Sequence, residues 1–259
     1  SGSATSSGLV DIVNGQGIIA VSDHTAETVN LGLSDSQSTG LSVTSTKNVV
    51  FAAGAVSKYA IRNPVDGVVG TAIPVTIEAL DQFGNRNPDF TADVSLSASG
   101  SATLPALGMV DINNGIGVIQ VNDVVAELVN LSLIDSGSTG LNVSSTQDVI
   151  FSPGPVSKFV ILDPTDGTVD NPVVVTVQAQ DQYGNVNPTY QTDVTLNVSG
   201  SATVPAGGLV NITNGIGLIA VSDTVAETIT LSLTDSQSTF NNVTSTQNLK
   251  FNSGSVTQF

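Results

Sequence analysis

The sequence predicts an all-β protein made of tandem copies of one antiparallel two-sheet sandwich. Three observations lead there: apolar and polar residues alternate, turn-forming residues interrupt the alternation at short intervals, and the whole pattern returns after 100 residues. The alternation is plain in Val75-Thr76-Ile77-Glu78-Ala79, Val94-Ser95-Leu96-Ser97-Ala98 and Val129-Asn130-Leu131-Ser132-Leu133. A period of two gives each strand one buried and one wet face. Between strands stand Asn63-Pro64-Val65-Asp66-Gly67, Phe83-Gly84-Asn85, Asn114-Gly115-Ile116-Gly117 and Asp135-Ser136-Gly137, which supply proline-set φ, glycines for left-handed backbone and Asx-type caps. About seven or eight short strands per ~100 residues is the density of a sandwich. Ala126-Glu127-Leu128 could open a helical turn, but the β-branched residues around it favour extended chain.

The repeat fixes the domain organisation. Asp81-Gln82-Phe83-Gly84-Asn85 returns as Asp181-Gln182-Tyr183-Gly184-Asn185, and Val56-Ser57-Lys58 as Val156-Ser157-Lys158. Residues 1–54 read as the back half of a copy, 55–154 and 155–254 as whole copies, and 255–259 as the start of a further one. The joints fall at Phe51-Ala52-Ala53-Gly54 and Phe151-Ser152-Pro153-Gly154, and linkers this short suit an extended array. Phe51, Phe151 and Phe251 each close a copy and are expected to anchor a core or a joint. The half copy is expected to expose an alternating apolar surface of Ile18, Val21, Val29, Leu31 and Leu33, which needs a partner to cover it.

Composition removes several functions. Of 259 residues 40% are hydrophobic and 11% charged, enough apolar material for real cores, and 4% are aromatic with no tryptophan. Twenty-two acidic against six basic residues give a formal charge of -16, which repels a nucleic-acid backbone. The absence of cysteine removes disulfides and thiolate metal sites. No apolar run approaches the ~18 residues of a membrane-spanning helix, so no membrane insertion is expected in this segment.

The run Val75 to Asn85, the strand Val94-Ser95-Leu96, Gly115-Ile116-Gly117-Val118-Ile119, closure on Phe151 and reopening at Val156-Ser157-Lys158-Phe159 together resemble bacterial immunoglobulin-like tandem repeats. The resemblance is to modules of the invasin and intimin type and to the long arrays of large surface adhesins, and it covers the whole chain. It implies immunoglobulin-like sandwiches and an extracellular or cell-surface location. The role it implies is that of a structural segment of a stalk, adhesin or filament, giving reach and homotypic assembly. The partners implied are copies of the chain in a fibre, or adjacent repeats of the same chain. The alternative is a binding array that takes glycans or depends on calcium.

Candidate sites follow from positions repeated in register. Asp23, Asp123 and Asp223 pair in sequence with Glu27, Glu127 and Glu227, and could hold calcium near the joints if further oxygens converge on them. Without such convergence the same acids cap turns and keep the surface soluble. Sequons make Asn130, Asn142, Asn197, Asn211 and Asn242 candidates for glycosylation. Lys58 and Lys158 could form an isopeptide bond with an asparagine of the closing strand, as in some pilin domains that the fold resembles, although Gln258 stands at the next such position. Catalysis is not expected: a reaction centre repeated in every copy would be unusual, and the single histidine, His24, is matched by Val124 and Thr224.

Overall fold

The computed structural model describes residues 2–254, and its regular elements are strands apart from two short 3-10 segments at Pro105–Gly108 and Pro205–Gly208. Among the described residues no helix is long and apolar enough to cross a membrane. The stretch 255–259, including Gln258, lies outside the described residues. The chain divides into two compact units: one takes residues up to 65, 72–122 and 128–149, the other 66–71, 123–127 and everything from 150 on. This seam does not run along the sequence period, because the loops 66–71, 123–127 and 150–154 group with the copy that follows them.

The second unit holds the sandwich of residues 155–254. One sheet runs in the order Lys158–Ile161, Val173–Gln180, Ile216–Val221, Ile212–Thr213, with antiparallel neighbours throughout. The other runs Gly167–Thr168, Thr246–Asn252, Thr228–Thr234, Val194–Val198, Leu209–Val210, antiparallel except that Gly167–Thr168 lies parallel to Phe251–Asn252. The alternating pattern sets which side chains face inward. Val175, Val177 and Ala179 from the first sheet and Leu196, Ile229, Leu231, Leu249 and Phe251 from the second meet in one buried cluster. Phe159 lies in the same cluster, edge-on to the half-buried Tyr190 with ring centroids 5.8 Å apart.

In the first unit the same sequence signals give the same pairing. Ile73–Leu80 lies between Lys58–Ile61 and Ile116–Val121, with Lys58 opposite Leu80 as Lys158 is opposite Gln180. Val94–Ala98 pairs with Leu128–Ile134 and with Met109–Val110. Residues 2–50 make two short ladders, Thr5–Ser6 with Val21–Ser22 and Thr28–Gly32 with Thr46–Val50. The segment Ala126–Leu128 forms no helix.

Residues 2–50 expose positions that the later copies bury. Leu33 is 59% exposed where Leu133 and Leu233 are each 7%, and Ile12 is 62% exposed where Ile112 and Ile212 are 1%. The expected surface of Ile18, Val21, Val29, Leu31 and Leu33 needs correction at two positions, while Val21 and Leu31 are half-buried. Val29 is already buried, and Ile18 stands on the outward face, as do Val118 and Leu218 in the complete copies. An apolar residue on the wet side of a strand does not belong to the core merely because its neighbours alternate.

Phe151 and Phe251 are 1% exposed, whereas Phe51 is only half-buried, although all three backbone amides donate to the carbonyl of the glutamate 24 residues earlier. Phe151→Ala should therefore cost about 3–5 kcal/mol in denaturant unfolding, and Phe51→Ala clearly less. Equal losses at the two positions would contradict this account of their burial.

Candidate functional site

The most chemically organised feature of the chain recurs at each passage from one sequence copy to the next, and each instance lies inside a single compact unit. It starts with Asp81 and Asp181, at the end of the strands Ile73–Leu80 and Val173–Gln180. Each carboxylate is buried, at 2% and 1% exposure, and each is wrapped by donors. Oδ1 of Asp181 accepts from the amides of Tyr183 and Asn185, and Oδ2 from the linker amide of Gly154, all at 2.9 Å. Asp81 makes the same three bonds to Phe83, Asn85 and Gly54. The turn closes through Gly84 and Gly184, at φ of 92° and 98°, a region that an L side chain rarely adopts. The linker is held from its other side as well, because Asn87 and Asn187 donate through Nδ2 to the carbonyls of Gly54 and Gly154 at 2.9 Å.

This turn aims one asparagine at the loop of the preceding copy. Asn185 Nδ2 donates to the Val124 carbonyl at 2.9 Å while its Oδ1 accepts from the Ala126 amide at 2.9 Å. Asn85 repeats the arrangement on the His24 carbonyl at 2.8 Å and the Ala26 amide at 2.9 Å. A side-chain amide carries a donor and an acceptor side by side, so it can pair with exposed backbone as a strand residue would. The aromatic beside it adapts to its neighbour. Phe83 stacks on His24, centroids 4.1 Å apart and planes within 8°, so His24 is a packing partner in the joint. Tyr183 fills the space over Gly70, where a Cβ would come within 2.1 Å of its hydroxyl.

The acids singled out in the sequence lie in the two loops that receive an asparagine and in the equivalent loop of the last copy. Asp223 and Glu227 are brought together by Ser201, whose hydroxyl oxygen lies 2.7 Å from both Asp223 Oδ1 and Glu227 Oε1, so that its one proton serves the two carboxylates. Ser3 joins Asp23 to Glu27 in the same way, at 2.7 and 2.8 Å. Asp123 caps its loop through the Val125 amide at 2.8 Å, and the Glu127 backbone carbonyl accepts from the Phe151 amide. The second carboxylate oxygens of Asp23 and Asp223 are buried and take no hydrogen bond among the described residues. Among the described residues no group of three or more His, Cys, Asp or Glu side chains gathers as a metal centre would require. What the arrangement visibly does is shape the loop so that its carbonyl and amide face outward.

The remaining candidates are dispersed. Asn130 donates through Nδ2 to Asp148 at 2.8 Å, and Asn197 to Thr234 Oγ1 at 2.7 Å, both on exposed strand faces. Asn142 and Asn242 form Asx turns, accepting from the amides of Ser144 and Thr244 at 2.8 Å, and Asn211 is exposed. Lys58 and Lys158 stand where the first strand makes backbone bonds to Asn142 and Asn242. Asn85, Asn185, Asp81 and Asp181 were legible in the sequence only as turn residues. The sign of more was their recurrence together with Asn87 and Asn187, more asparagines than a turn requires.

No family model matches the chain, and no curated protein does. Among solved structures, invasin, a bacterial integrin-binding protein, superposes with a TM-score of 0.43 at 15% identity, over 92% of this chain and 48% of its own. The Escherichia coli adhesin FdeC gives 0.38 at 18%, over 79% and 68%. A β-glycosidase from Bacteroides vulgatus gives 0.36 at 13%, over 76% of this chain and only 25% of the enzyme. Overlaps at this level decide nothing about function.

The acid response of the joint follows from its donors. Burial works to raise the Asp81 carboxyl, but the side chain of Asn85 and the amides of Gly54, Asn85 and Phe83 outweigh it and hold the group at about 2. Asp181 is lowered by the equivalent set against the same opposition. A carboxyl depressed in the folded state stabilises the fold above its unfolded value near 4, and that contribution disappears as pH falls through the folded value. Thermal melts should hold from neutral pH to about pH 4 and fall steeply between there and about pH 2. A melting temperature that stayed flat across that window would refute the assignment.

Proposed function

We propose that this chain is a structural repeat segment of an extracellular, cell-surface protein of adhesin type, giving reach. The observation that carries the reading is the asparagine clasp, made with the same atoms and nearly the same distances at Asn85 and Asn185. A linker whose amide and carbonyl are both tied into the following copy gives each copy the same fixed starting point, which suits a repeat segment. The acidic, cysteine-free composition fits a surface bathed in solvent. Homotypic assembly, through successive copies of the repeat, belongs to the same proposal.

A second reading, a glycan-binding array, is favoured by one feature of the second copy. Phe240 is 94% exposed and held at a φ of 61°, where the equivalent positions carry Gly40 and Gly140. Beside it Asn241 donates to the Tyr190 hydroxyl at 2.9 Å. An aromatic kept in unfavourable backbone and open to solvent suits a contact surface.

The discriminating experiment uses antibodies raised against the chain on intact cells of the source. Surface labelling that a non-permeant protease removes is the expected result, and labelling that appears only after lysis would overturn the proposal. A glycan array probed with the chain and its Phe240→Ala variant tests the second reading, which requires binding that the variant loses.

A further inference from the structure

The loop Asp223–Glu227 repeats the two loops that receive an asparagine. Its sequence, Asp-Thr-Val-Ala-Glu, matches Asp23-His24-Thr25-Ala26-Glu27 and Asp123-Val124-Val125-Ala126-Glu127 in the aspartate, alanine and glutamate. Its internal bonds match too: the Val225 amide donates to Asp223 Oδ1 at 2.9 Å, as Thr25 does to Asp23 at 2.9 Å and Val125 to Asp123 at 2.8 Å. Ser201 ties Asp223 to Glu227 as Ser3 ties Asp23 to Glu27. Among the described residues, nothing occupies the Thr224 carbonyl and the Ala226 amide, the two groups that correspond to those held by Asn85 and Asn185. Thr224, Val225 and Ala226 are all exposed.

We propose that this loop is a docking site whose occupant is the Asp-Gln-aromatic-Gly-Asn turn of a further copy of the repeat. The asparagine amide donates to the Thr224 carbonyl and accepts from the Ala226 amide. The receptor reads backbone, so the identity of residue 224 matters little to the amide pair. It matters to the ring, which stacks on His24 in one joint and covers Gly70 in the other. At the second copy Asp170 stands in the place of Gly70, at a φ of 64°, and its Cβ fills the space that Tyr183 uses in the joint before. The incoming ring therefore sits differently there, and a glycine at 170 would restore the Tyr183 pose. This inference rests on the sequence repeat and the clasp, and it stands whether or not the protein is exposed on a cell surface.

The test extends the full chain after Gly254 with one more copy of residues 155–254 in place of 255–259, in an Asp170→Gly background. A parallel chain takes a copy of residues 55–154, with its phenylalanine turn, on native Asp170. Amide hydrogen exchange is read at Ala226. Exchange there should slow at least about tenfold relative to the unextended chain, the factor that one net hydrogen bond of ordinary strength gives, and approach that of Ala126. Replacing the appended asparagine equivalent to Asn185 or Asn85 by alanine should return Ala226 to its fast rate while the strands of the appended copy remain protected. Fast exchange at Ala226 in both extended chains with the appended copy folded would overturn the proposal. So would failure of both appended copies to fold on a chain that folds without them.

Discussion

The passage from each copy to the next depends on one side-chain amide doing the work of a strand. Asn85 and Asn185 satisfy a carbonyl and an amide of the preceding loop together, and both groups belong to backbone that no ladder reaches. The asparagine can do so because the aspartate four residues earlier has already fixed the turn, collecting the amides of the turn and of the linker on one buried carboxylate. The linkers at Gly54 and Gly154 are thus held through both backbone groups of one residue, by Asp81 and Asn87 in one case and by Asp181 and Asn187 in the other.

Most of the fold was legible in the sequence because period-two alternation and repeated turns are local signals. Val175, Val177 and Ala179 announce their buried face without any knowledge of what packs on it. The alternation misled at Ile18, whose outward side becomes visible only from the complete copies, where Val118 and Leu218 are exposed too. The site was legible in part. The repeated aspartates and glutamates could be found by comparing copies, but their use could not, since Ser201 lies 22 residues before Asp223 and its hydroxyl finds both carboxylates only in the folded sheet. The target of Asn185, about 60 residues earlier, left no local trace.

The acids illustrate how one residue type serves two ends. Asp81 and Asp181 are buried and saturated with amide donors, so their charge is used inside the turn. Asp223, by contrast, keeps one oxygen without a hydrogen bond among the described residues while its other oxygen organises a loop whose backbone faces outward. Residue type alone treats these acids alike, and the difference in use appears in which donors the fold delivers to each.

Because the clasp reads main chain and an alanine, its two halves are interchangeable between copies. A gene encoding such copies can gain or lose one by recombination between them, and the newly adjoining copies meet through the same amide, carbonyl and asparagine as before. Length is then free to change in steps of 100 residues without any compensating substitution in the contacts themselves. What differs between joints is the ring beside the clasp, Phe83 on His24 in one and Tyr183 over Gly70 in the other.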